Sequence, residues 1–217
     1  MKCILLANGD YNRDFKAYQK LISPDDLIIC ADGGANYAKL MELTPCIIIG
    51  DMDSIAMEAK EYFHRKQVSF IEYPRHKDYS DTQLALSIAE ERQVKEIIFF
   101  GSLGKRLDHT MANIYACLAA VARGIKIVHY SPDMILYIIN DKLEIKGQQG
   151  DIVSVLALTD EVTGISENGF EYSLSHAVMK KDNPYGISNR MLSEQAEITV
   201  EHGILAVFHY ANTPISK

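Results

Sequence analysis

The chain has 217 residues, with 22 Lys or Arg against 29 Asp or Glu, a formal net charge of −7 at pH 7. Non-specific binding to nucleic acid or to an anionic membrane needs a basic surface, so this balance argues against both. It leaves room for an anionic substrate held by a few placed cations and a metal ion. At 47% hydrophobic and 24% charged residues the composition is that of a globular protein, with length enough for one large domain or two small ones.

Cys3, Cys30, Cys46 and Cys117 are widely spaced and form no C-x-x-C pair. They read as small apolar residues buried in a reducing compartment. The apolar run from Cys3 to Ala7 is too short for the core of a signal peptide, and no stretch approaches the length of a membrane span. A cytoplasmic protein is expected.

The first half alternates two periodicities. Strands are predicted at Lys2–Ala7, Leu27–Asp32, Cys46–Asp51, Val68–Tyr73, Glu96–Gly101 and Ile125–Tyr130. Between them fall helices, among them Ala35–Leu43, Met57–Lys66, Ser80–Gln93 and Asp108–Arg123. Ser80 and Gln83 have capping-box spacing, and Gly124 suits the end of the last helix. This alternation predicts α/β architecture with a mostly parallel sheet. Ser131-Pro132-Asp133 is a turn signal, and beyond it the pattern changes. Met134–Asn140, Lys142–Lys146, Asp151–Leu158, Phe170–Leu174, Glu197–Glu201 and Ile204–His209 are short strand-like runs punctuated by glycines. They predict a small antiparallel β-sandwich-like or barrel-like domain. The division is placed at residues 1–132 and 133–217.

Ligands of open α/β sheets bind beyond the carboxyl ends of the strands, and the polar motifs fall there. One strand runs into Asp32-Gly33-Gly34. The next, Cys46-Ile47-Ile48-Ile49, runs into Gly50-Asp51-Met52-Asp53-Ser54. A third leads through Pro74-Arg75-His76 to Lys77-Asp78-Tyr79-Ser80-Asp81. A fourth enters Gly101-Ser102-Leu103-Gly104-Lys105-Arg106-Leu107-Asp108-His109. Two carboxylates about 5 Å apart repel by roughly 3 kcal/mol at an effective dielectric near 20. Asp51 and Asp53 therefore call for a cation, and a hard divalent ion suits oxygen ligands. Each motif also has a local reading: an Asx turn at Asp51-Asp53, and helix-start acids at Asp32, Asp78, Asp81 and Asp108. Local readings leave the recurrence after successive strands unexplained. Together the motifs suggest a metal–polyphosphate site in which carboxylates hold Mg²⁺, glycine backbones hold phosphate, and Arg106 or Lys77 neutralises charge. There is no Walker A motif and no G-x-G-x-x-G. A phosphatase with an aspartyl nucleophile at Asp51-x-Asp53 is a competing reading, although such a nucleophile is expected after the first strand. A nucleotide sensor without turnover is another.

These four motifs, in order and approximate spacing, resemble the motif series of the thiamine pyrophosphokinase family. Tyr185-Gly186-Ile187-Ser188-Asn189 is similar to that family's Gly-x-Ser-Asn segment, and Asn168-Gly169-Phe170-Glu171-Tyr172 to the turn and strand before it. The resemblance implies an α/β nucleotide domain followed by a β-sandwich-like thiamine domain. It implies transfer of the pyrophosphoryl group of ATP to the hydroxyl of thiamine, and a homodimer with thiamine bound between subunits. It places Mg²⁺ at Asp51, Asp53 and Asp81, with Asp78 and Asp32 in or near the shell. It implies ATP contacts from Asp32, Gly33, Gly34, Lys77, Gly101, Ser102, Gly104, Arg106, Asp108 and His109. Ser188 and Asn189 would meet the aminopyrimidine of thiamine, with Tyr172 and Tyr185 as aromatic neighbours. Asp51, Asp53, Asp78, Asp81 and Arg106 form the implied catalytic set. Two departures stand out. Ser80 occupies the Thr position of the family's Asp-x-Thr-Asp, and Tyr172-Ser173-Leu174 replaces Tyr-Pro-Leu.

Overall fold

The computed structural model describes residues 1–12, 14–76, 78–104 and 106–211. The chain divides into two compact units, Met1–Ala120 with Gly124–Pro132, and Val121–Arg123 with the residues from Asp133 onward.

The first unit is built on six parallel strands: β1 (Lys2–Leu6), β2 (Leu27–Ala31), β3 (Ile47–Gly50), β4 (Ser69–Glu72), β5 (Glu96–Phe100) and β6 (Lys126–Ser131). Their order is β6-β5-β1-β2-β3-β4, every neighbouring pair parallel. Four residues in each of β1, β3 and β5 are buried, the near-continuous apolar run of strands covered on both faces. The helices are α1 (Phe15–Gln19), α2 (Gly34–Leu40), α3 (Met57–Arg65), α4 (Asp81–Glu91), α5 (Leu107–Ala116) and α6 (Leu118–Ala122). Ala35, Ala38 and Met41 at α2 and Ala59 and Phe63 on α3 pack with Ile4, Cys30 and Ile48 of the sheet. From β1 the chain steps outward through β2, β3 and β4, then returns to place β5 on the other side of β1. The order therefore reverses between β1 and β5, which is where such sheets open a crevice for ligands.

In place of the single helix expected over Asp108–Arg123 there are α5 and α6, broken at Cys117. The thiol of Cys117 donates to the Asn113 carbonyl at 3.1 Å, while its backbone N–H turns to the Ile114 carbonyl instead. The side chain has taken the acceptor that a continuing helix would use.

In the second unit every strand pair is antiparallel. One sheet has the order β12 (Asn189–Arg190), β9 (Ile152–Ala157), β14 (Leu205–Tyr210), β7 (Met134–Ile139). The other runs β11 (Leu174–Lys180), β10 (Glu161–Asn168), β13 (Gln195–Thr199), β8 (Lys142–Lys146). Burial alternates strictly along β9, the period of a strand with one inward face. Val153, Val155 and Leu205 from one sheet share a core with Val162, Ile165 and Ile198 from the other, so two layers enclose one apolar interior.

The strand expected over Phe170–Leu174 does not form; of these residues Leu174 alone lies in a strand, as the first residue of β11. The chain turns at Gly169, with φ +84°, and only Phe170 makes an isolated bridge, to Met191. Cys46, expected to be buried, is exposed, whereas Cys3, Cys30 and Cys117 are buried; all four are free thiols. Among the described residues no helix is long and apolar enough to cross a membrane.

Candidate functional site

The β1–β5 switch point opens into a cavity of about 790 Å³, and every residue lining it belongs to the first unit. The loop after β1 and the loop after β5 are stitched together. Gly9 donates its N–H to the Gly101 carbonyl at 2.7 Å, and Asp10 donates to the Leu103 carbonyl at 3.0 Å. The approach requires glycine: at Gly101, φ +62°, a Cβ would fall 2.1 Å from the Tyr11 ring. The Tyr11 hydroxyl lies 3.0 Å from the carbonyl oxygens of both Ala7 and Phe100, fixing both strand ends from beneath.

The acids gather on the other wall. Asp32, Asp51 and Asp53 each offer a carboxylate oxygen, all within 4.8 Å of one another. Gly50 sits under them with φ +150°, and a Cβ there would stand 2.9 Å from Asp32 Cβ and 3.1 Å from the Asp81 carboxylate. Asp81 thus lies beside the group. The Asx turn is present as well, with Asp53 N–H donating to Asp51 Oδ1 at 3.2 Å, so the local reading and the cluster reading hold together. Burial pushes the Asp32 carboxyl above its usual range. A hydrogen bond from Ser54 opposes this, and the charges of Asp81 and Asp51 add to it. Asp32 Oδ1 is buried with no hydrogen-bond partner among the described residues. An all-oxygen donor set with one orphaned buried oxygen fits a hard divalent cation.

Cations stand close by. Arg106 at the N-terminus of α5 forks onto Asp108 through Nε at 3.2 Å and Nη2 at 2.5 Å, and holds that carboxyl below its usual range. Arg75 pairs with Asp53 at 2.9 Å. At the base of the cavity Ser102 Oγ lies 2.8 Å from Nδ1 of His129, a fully buried imidazole whose Nε2 faces Cys117 Sγ at 3.8 Å. Asn113 Nδ2 donates to the Ser102 carbonyl at 2.8 Å.

Of the residues expected at an ATP and metal site, Asp32, Asp51, Asp53, Asp81, Gly101, Ser102, Gly104, Arg106, Asp108 and His109 line this one cavity. Gly33, Gly34 and Asp78 are not among its lining residues. Gly33 lies under the Asn8 side chain, and Gly34 lets α2 press against the Leu6 carbonyl, 2.1 Å from where a Cβ would be. Lys77, like Lys105 of the same motifs, lies outside the described residues. Asn8, Gly9, Arg75 and Asn113 also line the cavity and carried no motif. The loop-end position of Asn8-Gly9 after a first strand was the one available hint.

The residues expected to meet thiamine lie in the second unit. Ser188 is exposed, with φ +61° and its N–H donated to Ser154 Oγ at 2.9 Å. Tyr172 and Tyr185 are exposed, and the Tyr185 hydroxyl donates to the Val178 carbonyl at 2.8 Å. Asn189 is buried and its amide is saturated. Nδ2 donates to Glu167 Oε2 at 2.8 Å and to the Tyr172 carbonyl at 2.7 Å, while Oδ1 accepts from the N–H groups of Tyr172 and Arg190, both at 3.0 Å. An amide has no further capacity, so Asn189 ties the 169–172 turn to β12 and leaves ligand contact to its neighbours.

A parallel sheet whose switch-point cavity gathers carboxylates, glycine backbones and arginines defines an α/β protein of the class that takes its ligand beyond the carboxyl ends of the strands. Two family models match in tandem: thiamin pyrophosphokinase, catalytic domain, over residues 18–129, and thiamin pyrophosphokinase, vitamin B1 binding domain, over residues 139–205. The chain belongs to the thiamin pyrophosphokinase family. It is 25% identical over 165 residues to the thiamine pyrophosphokinase of Bacillus subtilis, spanning 75% of this chain and 77% of that one. It is also 25% identical over 205 residues to thiamine pyrophosphokinase 1 of Oryza sativa, spanning 82% and 77%. The crystal structure of the B. subtilis protein superposes with a TM-score of 0.86 at 22% identity, over 98% of this chain and all of that one. A second, from Geobacillus thermodenitrificans, gives 0.83 at 21% identity over 99% of both.

Proposed function

We propose that this protein transfers the pyrophosphoryl group of ATP to the hydroxyl of thiamine, giving thiamine diphosphate and AMP. The observation that carries this reading is the first-unit cavity. It joins three carboxylates within 4.8 Å of one another to a glycine loop and two arginines, in the segment matched by the family's catalytic model. The first unit is taken as the ATP and metal domain and the second as the thiamine domain.

The thiamine oxygen forms a bond to the β-phosphorus, and the bond from that phosphorus to the α,β-bridging oxygen breaks, so AMP leaves. The transition state asks for position and charge stabilisation more than for covalent help. Asp32, Asp51 and Asp53, with Asp81 beside them, would hold Mg²⁺. When bound, that ion supplies a hard Lewis acid for the polyphosphate oxygens. Gly101 and Gly104 bring main chain to the cavity without side chains in the way. Arg106, at the start of α5, offers a fork of donors to equatorial phosphate oxygens. Asp81 lines the cavity beside the group of three, where a carboxylate left off the ion could accept the hydroxyl proton. In the second unit the exposed Ser188 hydroxyl offers the polar contact, and Tyr172 and Tyr185 the apolar ones. On the family pattern the protein works as a homodimer.

The test is one incubation with ATP, thiamine and Mg²⁺ that resolves AMP, ADP and thiamine diphosphate. AMP and thiamine diphosphate in equal amounts, both abolished by a chelator, are expected. ADP with thiamine monophosphate would replace the proposal by simple kinase transfer.

A further inference from the structure

Among the described residues that line the cavity, the arginines are Arg75 and Arg106, and each rests on a carboxylate. Their partners differ in kind. Asp108 is outside the group of three acids, so Arg106 can leave it without disturbing them. Asp53 is inside that group. The Arg75 guanidinium, on the loop after β4, lies 2.9 Å from Asp53 Oδ2, with side chains 77% and 42% exposed. A guanidinium and a divalent ion therefore lay claim to the same carboxylate.

We infer that Arg75 is an exchanging cation and a further binding residue for the polyphosphate. It neutralises Asp53 while the acid group holds no ion, and turns to phosphate oxygens when a metal takes that carboxylate. The inference rests on the metal–ATP reading of the cavity. Three physical points carry it. A guanidinium presents the same planar fork to carboxylate and to phosphate oxygens. An exposed ion pair is weak, so breaking it opposes the exchange only slightly. Arg75 lines the cavity, so its charge stays within reach of whatever anion the cavity holds. Metal and nucleotide are thereby coupled: the ion displaces the arginine, and the displaced arginine favours the nucleotide. Nothing about Pro74-Arg75-His76 as a sequence shows this; the pairing across to the loop after β3 does.

The test uses the full-length protein and Mn²⁺ as the cation probe. Free and bound Mn²⁺ are distinguished by electron paramagnetic resonance without nucleotide. ATP binding in the presence of Mn²⁺ and the absence of thiamine is followed by calorimetry. Arg75→Gln should bind Mn²⁺ alone about fivefold tighter, the scale of an exposed ion pair, and bind ATP about tenfold more weakly, the scale of a charge-assisted contact. Arg75→Lys should keep the Mn²⁺ affinity of the parent while losing ATP affinity, because it retains charge but not the fork. Unchanged affinities in Arg75→Gln for both Mn²⁺ and ATP would overturn the inference and leave an ordinary surface ion pair. Failure of the underlying reading is separate: the parent protein and Asp51→Asn would then bind Mn²⁺ equally well, or not at all.

Discussion

Asp32 and Asp53 bring one functional group into two surroundings. Asp32 is 7% exposed, its carboxyl raised by burial, whereas the Asp53 side chain is 42% exposed and paired with Arg75. Replacing Asp53 therefore empties no buried space, which makes it the cleaner probe of the site. His129 is the opposite case. Burial pushes its imidazole down to about 3, so the folded protein keeps it neutral while the unfolded chain takes up a proton near the ordinary value of about 6.5. This lowering leaves stability intact above about pH 6.5 and erodes it as pH falls from there toward about 3. The slope is about 1.4 kcal/mol per pH unit at most. Carboxylates titrate in the lower part of the same window, so the informative quantity is a difference. Urea midpoints of the parent and His129→Gln, measured from pH 7 to pH 4, should converge as pH falls; parallel curves would mean that His129 takes up its proton as readily in the folded state as in the unfolded chain. At this scale the sequence reveals acids better than their counter-ions. Asp51 and Asp53 announce themselves by following an apolar run and a glycine, whereas Arg75 has no spacing that marks it, since its partner lies in another loop.

The turn at 169–172 shows why local patterns fail between elements. Phe170 to Leu174 has strand-like composition, yet Asn189 captures both the N–H and the carbonyl of Tyr172, the groups a strand would offer to a ladder. The competing acceptor and donor come from seventeen positions along the chain, which no window over the turn itself reveals. Asn189 also meets the buried Glu167, whose carboxyl burial raises. Asn189→Ala would strand that carboxylate and three backbone groups. A loss of about 2–4 kcal/mol is expected, read as a lowered thermal midpoint with a weaker thiamine affinity as a consequence. An unchanged midpoint would return Asn189 to the role of a ligand. By contrast the start of α4 was readable. Ser80 accepts from the Gln83 N–H at 3.2 Å, and Gln83 Oε1 accepts from the Ser80 N–H at 2.9 Å, because a capping box is complete within four residues. The break at Cys117 was not, since a thiol bond to a carbonyl leaves the helical periodicity untouched.

At the scale of the whole molecule, the change from helix–strand alternation to short period-two strands predicts two kinds of unit, and an α/β unit and an antiparallel unit are what the chain forms. The parallel order and its switch point were not legible, because strand order depends on which side of β1 the fifth strand returns to. That return decides which loops meet, and so brings Asn8-Gly9, which carries no motif, against Gly101–Gly104. If the two units divide the substrates as proposed, substitutions in them should separate kinetically. Ser188→Ala should raise the KM for thiamine by about tenfold, the scale of one lost hydrogen bond to a ligand, with little change in the KM for ATP. The reverse pattern would exchange the roles of the two units. The central claim is that the acids at the end of β3 organise the transfer, and its most direct measurement is the turnover of Asp53→Asn beside the parent protein, followed as AMP and thiamine diphosphate, with circular dichroism as the check on folding. Loss of most turnover in a folded variant is the result expected; near-normal turnover would remove Asp53, and with it the metal–polyphosphate reading of the cavity.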